Sequence, residues 1–128
     1  MPYAYDDQNI FAKILRGEIP KDTVLETEHS LAFRDINPQA PAHVLVIPKG
    51  PYVTFDHFAL EASVEEIVDY TRTIGAVCKM MGVQPGEGGA GYRTLSNAGD
   101  DAVQEVPHLH VHILAGRPLG PMLLPARN

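Results

Sequence analysis

The chain has 128 residues and carries 10 Lys+Arg against 16 Asp+Glu, a formal charge of −6, enough for one domain with its own core and too little for two. With 45% hydrophobic and 20% charged residues, neither disorder nor a coiled coil is indicated. Without a segregated basic patch, the negative balance argues against polynucleotides and anionic membranes as partners. The single cysteine, Cys78, cannot form an intramolecular disulfide and suits a reducing compartment. The opening MPYAYDDQNIF has neither a basic nor an apolar signal region. No apolar run approaches the ~20 residues of a membrane helix, so a cytoplasmic protein is expected.

Taken in order, Ile10, Phe11, Ile14 and Leu15 predict two helical turns, with Asp7 or Asn9 as cap, Gly17 as stop and Pro20 closing the segment. Three extended segments follow as a meander: Thr23–Thr27, Leu31–Ile36 after the Glu28-His29-Ser30 turn, and His43–Ile47 between Pro41 and Pro48. The longest helix is predicted over Val64–Met81, with Ser63 and Glu66 as capping box and Gly82 as stop. Its core face is read as Val64, Ile67, Val68, Thr71, Ile74, Cys78 and Met81, which makes Cys78 packing rather than chemistry. Gln84–Gly91 reads as a loop, Tyr92–Asn97 as a fourth strand, Ala98–Glu105 as a second loop and Val106–Ala115 as a fifth strand. Short strand connections cannot make parallel crossovers, so the class is α+β with an antiparallel sheet. The tail after Gly116 is irregular but apolar, and is expected to be tied down.

Three of the six histidines, His108, His110 and His112, alternate on the last strand with Leu109, Val111 and Ile113, so they share one face. Burying unpaired imidazoles is costly, and a solvated face would carry Lys, Glu or Thr. A metal site, a solvated ladder and acid–base or nucleophilic work on a phosphate all remain open. His108 and His112 would lie ~13 Å apart on an extended strand, too far for all three on one ion. Neutral imidazole as nucleophile and protonated imidazole as charge stabiliser fit phosphate chemistry best. His29 and His57 have no motif partner and are expected on the surface.

The segment Gln104-Glu-Val-Pro-His108-Leu-His110-Val-His112-Ile-Leu resembles the His-x-His-x-His signature of the histidine triad (HIT) family. Ile10–Pro20, Ala32–His43, Leu45–Lys49 and Gly116–Gly120 resemble its Hint branch, the histidine triad nucleotide-binding proteins. The resemblance spans about residues 9–120, taken as the domain, with 121–128 as a C-terminal tail. It implies a HIT fold: a five-stranded antiparallel sheet with one long and one short helix, dimerising into a continuous ten-stranded sheet. It further implies a homodimeric hydrolase that cleaves the P–N bond of purine nucleoside 5′-phosphoramidates. His110 would be the nucleophile, His112 would contact the phosphate or bridging atom, and His108 and His43 would orient the site. Asp35 would accept the ribose hydroxyls, Phe11, Ile14, Ile19, Phe33 and Ile36 would wall the base, Asn97 would contact the sugar–phosphate, and Val103, Gln104 and Glu105 would hold the α-phosphate.

Two departures stand in that loop. Where the eukaryotic Hint pattern has Gly-Gln-Ser, this chain has Val103-Gln104-Glu105. Valine resists the positive φ that glycine permits, so a reshaped loop is expected. The Glu105 carboxylate would repel phosphate unless protonated or turned toward a cationic leaving amine. The Cys-x-x-Cys zinc motif of many bacterial HIT proteins is absent from Asp7-Gln-Asn-Ile10, so neither metal nor cofactor is expected. The resemblance leaves as rivals a dinucleoside polyphosphate hydrolase and a non-catalytic purine-nucleotide-binding or scaffold protein.

Overall fold

A computed structural model describes residues 3–124. Helix α1 (Ile10–Leu15) is capped by Asn9, whose side-chain oxygen accepts from the backbone N–H groups of Phe11 and Ala12. It ends before Gly17 at φ 79°, the left-handed conformation that favours glycine. Strands β1 (Thr23–Glu26), β2 (Ser30–Arg34) and β3 (Ala42–Pro48) follow. Helix α3 (Val64–Met80), reached through a short helix α2 (Phe55–Glu61), carries both halves of the Ser63–Glu66 capping box. Strands β4 (Arg93–Leu95) and β5 (Val111–Ala115) complete an antiparallel sheet in the order β1-β2-β3-β5-β4.

Pleat alternation gives the sheet two apolar faces. Ala32, Val44, Val46, Val111 and Ile113 pack with Phe58 of α2 and with Tyr70, Val77 and Cys78 of α3. Leu31, Phe33, Leu45 and Ile47 pack on the opposite face against Phe11 and Ile14 of α1. Each fully buried side chain of this size contributes ~1.5–3 kcal/mol. Register places Phe33 opposite Leu45, and Leu45 opposite His112. The histidine face is thus the one covered by the small helix.

Several boundaries differ from the sequence reading. Strand β5 starts at Val111, not Val106. Pro107 has no N–H to give a ladder, and Leu109 N–H donates to Tyr52 O in a loop. The fourth strand is three residues long, and the loop at Gln84–Gly91 contains a single 3₁₀ turn at Pro85–Glu87. Helix α2 is an addition to the one long and one short helix expected. On α3 the core face is rotated: Tyr70, Thr73, Val77 and Cys78 are buried, whereas Val64 and Val68 are exposed. Tyr70 reaches the core because its hydroxyl donates to Val46 O at 2.7 Å. His57 is buried, contrary to the surface position expected, with Nδ1 accepting from Val53 N–H and the ring stacked on Tyr3. The tail is held by Arg93, which donates to Gly120 O and Pro121 O, and by Arg117, which donates to Gln39 O. Met122–Leu124 are exposed, and residues 125–128 of the expected tail lie outside the described residues.

Candidate active site

The four motif histidines come together, and their hydrogen-bond partners assign each ring's proton. His108 is fully buried, with Nε2 2.8 Å from Pro48 O and Nδ1 2.6 Å from the Tyr5 hydroxyl. A carbonyl only accepts, so Nε2 carries the proton and Nδ1 accepts from Tyr5. His110 Nδ1 lies 2.8 Å from His108 O, so Nδ1 carries its proton and Nε2 keeps a lone pair. His43 Nδ1 accepts from Gln39 N–H at 3.0 Å, which leaves the proton on Nε2, 2.8 Å from His112 Nδ1. His112 therefore carries its proton on Nε2, a buried atom with no hydrogen-bond partner among the described residues. The site thus presents one bare nitrogen and one unsatisfied donor, on rings whose centroids are 5.0 Å apart.

Burial keeps these rings neutral. It pushes His108 and His112 down to about 4 and also lowers His43 and His110. The hydrogen bond to His108 O, and then the carboxylates Asp35 and Glu105, pull the other way on His110. Asp35 Oδ2 is 3.4 Å from His43 Nε2, and Asp35 Oδ1 accepts from Asn37 N–H. Asp35, His43 and His112 bring one oxygen and two nitrogens within 4.8 Å of one another. The two nitrogens, however, share the proton between them.

A cleft of about 320 Å³ between α1 and β2 is lined by Phe11, Ile14, Ile19, Phe33 and Ile36, with Lys21, Arg34, Asp35, Asn37 and Glu105 as its polar lining. All five residues expected to wall a base therefore meet in one place. Ile36 is its exposed rim. Phe11 joins the cleft to the triad by meeting the His110 ring edge-on at 4.9 Å. Asn97 is half-buried two residues past Leu95, whose register partner is His112, and its amide bonds to no described residue.

The loop expected to hold a phosphate spends much of its polar capacity on itself. Gln104 Oε1 accepts from Gly99 N–H, and its amide nitrogen donates to Val53 O and Val106 O. Val103 N–H donates to Asp100 O and Gln104 N–H to Gly99 O. The Val103 and Gln104 donors expected for phosphate are thus used within the protein, whereas Glu105 N–H donates to no described residue. Val103 holds φ 57°, the one positive value outside glycine among the described residues. The loop therefore takes a left-handed bend at a β-branched residue that resists it. Sequence reading missed Tyr5, which stands 103 positions from the ring it bonds and belongs to no motif.

A family profile described as HIT domain matches residues 16–119. The chain is 58% identical, over 96% of its length and 98% of the relative's, to an uncharacterised 13.2 kDa HIT-like protein of Azospirillum brasilense. It is 43% identical to a purine nucleoside phosphoramidase of Escherichia coli, over 91% of this chain and 94% of that one. Among solved structures, a HIT family hydrolase from Clostridium thermocellum superposes with a TM-score of 0.80 at 34% identity, covering 93% of this chain and 99% of that chain.

Proposed function

The chain belongs to the HIT domain family, and from that premise we propose that it hydrolyses the P–N bond of purine nucleoside 5′-phosphoramidates through a nucleotidyl-His110 intermediate. The observation that carries this reading is the proton assignment: His110 keeps a bare Nε2 because its Nδ1–H is bound to His108 O, beside a His112 Nε2–H without a partner. A neutral imidazole attacks phosphorus without first losing a proton. The His110 Nε2–P bond forms as the P–N bond breaks, with His112 Nε2–H as donor to the departing nitrogen or a phosphate oxygen. Water then attacks the same phosphorus. Over both steps its oxygen goes to phosphorus and one of its protons to the amine, releasing AMP or GMP.

The apolar cleft suits a purine, and Asp35 offers carboxylate oxygens for ribose hydroxyls. Glu105, which lines the same cleft, favours a leaving amine that carries positive charge. The reading also carries a cytoplasmic homodimer with no metal or cofactor. Both edge strands of the sheet, β1 and β4, offer backbone groups for the pairing that a ten-stranded sheet needs.

A turnover panel of adenosine and guanosine phosphoramidates against dinucleoside polyphosphates tests this. Phosphoramidates are expected to turn over with the higher kcat/KM, and the advantage of a lysine-like over a neutral leaving amine is expected to shrink in Glu105→Ser. Preferred cleavage of dinucleoside polyphosphates, or nucleotide binding with negligible turnover of every compound, would reject it.

A further inference from the structure

Strand pairing stops at Val111, so the stretch that carries His108 and His110 is not fixed by the ladder. The His108 carbonyl takes the His110 Nδ1 proton at 2.8 Å and so determines which His110 nitrogen stays bare. Its peptide is pinned on one side by Leu109 N–H, which donates to Tyr52 O, and the His108 side chain is the second anchor. The His108 ring has the means, being clamped at both nitrogens between β3, through Pro48 O, and the N-terminal segment, through Tyr5.

That segment is itself well anchored. Tyr3 donates to Asp56 at the start of α2 and stacks on His57 at 4.9 Å. At the other end Asn9 bonds back to Asp6 O, and Arg16 donates to Asp7 O. Tyr5 therefore sits on a strap pinned on either side of it. Its ring meets the His108 ring edge-on at 5.6 Å, and burial raises the phenol above its usual value, so the hydroxyl keeps the proton it donates. The other neighbours offer no substitute: Phe11 approaches from α1 as an apolar edge, Pro48 supplies only an acceptor, and His110 is the one further titratable ring facing His108.

We infer that Tyr5 is a positioning residue for the nucleophile: with Pro48 O taking the Nε2 proton, the Tyr5 donation to His108 Nδ1 completes the clamp that keeps this ring neutral and in place, and with it helps seat the carbonyl that anchors His110. This rests on the proposed role of His110 for its effect on turnover, but not for its effect on the ring. Removing the hydroxyl leaves a bare acceptor in a fully buried ring, which is relieved by taking a proton, changing tautomer or rotating.

The test compares Tyr5→Phe with wild type and with Tyr3→Phe, which loosens the same strap without touching His108. Nitrogen-15 correlation spectra of the imidazoles report tautomer and titration, and steady-state kinetics use adenosine 5′-phosphoramidate. Tyr5→Phe is expected to keep its fold and to shift His108 titration to higher pH or mix its tautomers. It is also expected to lower kcat roughly three- to tenfold with KM within about twofold, while Tyr3→Phe leaves both signals as in wild type. Unchanged His108 signals in Tyr5→Phe would overturn the proposal, even with kcat lowered, since packing alone would then account for the loss. The same shift in Tyr3→Phe would overturn it too. If wild type turns over no phosphoramidate, the reaction reading fails, and the ring signals still decide the role of Tyr5.

Discussion

The proposed reaction depends on which of the two His110 nitrogens holds the proton, and that choice belongs to a backbone carbonyl two residues away. The histidine spacing pointed to a shared face, and His110 and His112 do lie together with His43. What spacing could not give was the partner of each nitrogen, because Tyr5, Gln39 and Pro48 belong to no motif and meet the rings only through the fold. Val103 shows a second limit. Valine resists positive φ, yet the turn set by Val103 N–H to Asp100 O and Gln104 N–H to Gly99 O holds it at φ 57°. A left-handed β-branched residue costs roughly 1–2 kcal/mol, and at 69% exposure this valine recovers little by packing. Val103→Gly is therefore expected to raise stability by about 1 kcal/mol after the added chain entropy of glycine is counted. Urea unfolding measures this, and a loss of stability on that substitution would show that the bend carries no strain.

At the scale of elements, the legible parts were those with local punctuation. Asn9 and Gly17 bracket α1, and the Ser63–Glu66 box starts α3, because caps satisfy backbone groups within a few residues. β2 and β3 were found within a residue or two, since Pro48, at the end of β3, and the turn at Glu28–Ser30 bound them. Helix α2 was missed because its seven residues bury only His57 and Phe58, too few for a visible period. The face of α3 was misjudged where polar atoms find partners inside: Tyr70 bonds to Val46 O and Thr73 to Asp69 O. The early part of the fifth strand was misread for the reverse reason. The alternation His108, Leu109, His110, Val111 persists in which face each side chain takes, but the ladder ends where Leu109 N–H turns to Tyr52.

Over the whole molecule, one sheet separates a hydrophobic face under α3 from a face that holds the cleft and the histidines. The −6 charge is compatible with the proposed single-nucleotide substrate because the histidine face presents neutral imidazoles. Keeping those imidazoles neutral links stability to pH. In the unfolded chain they titrate near 6.5, while folded His108 and His112 hold out to about 4, with His43 and His110 also lowered. Below 6.5 the unfolded state binds more protons, so stability is full above that pH and declines as pH falls toward 4, by about 1.4 kcal/mol for each unit of depression retained. Thermal melts across that window are expected to show a falling midpoint, and a flat profile would mean that the rings are not held neutral. The proposed covalent step is tested most directly by intact-mass and peptide mapping of protein quenched by acid-free denaturant during turnover of adenosine 5′-phosphoramidate. An AMP-sized adduct on His110, absent in a His110→Asn variant that has lost turnover, is the predicted result; full turnover by that variant, or an adduct on another residue, would contradict it.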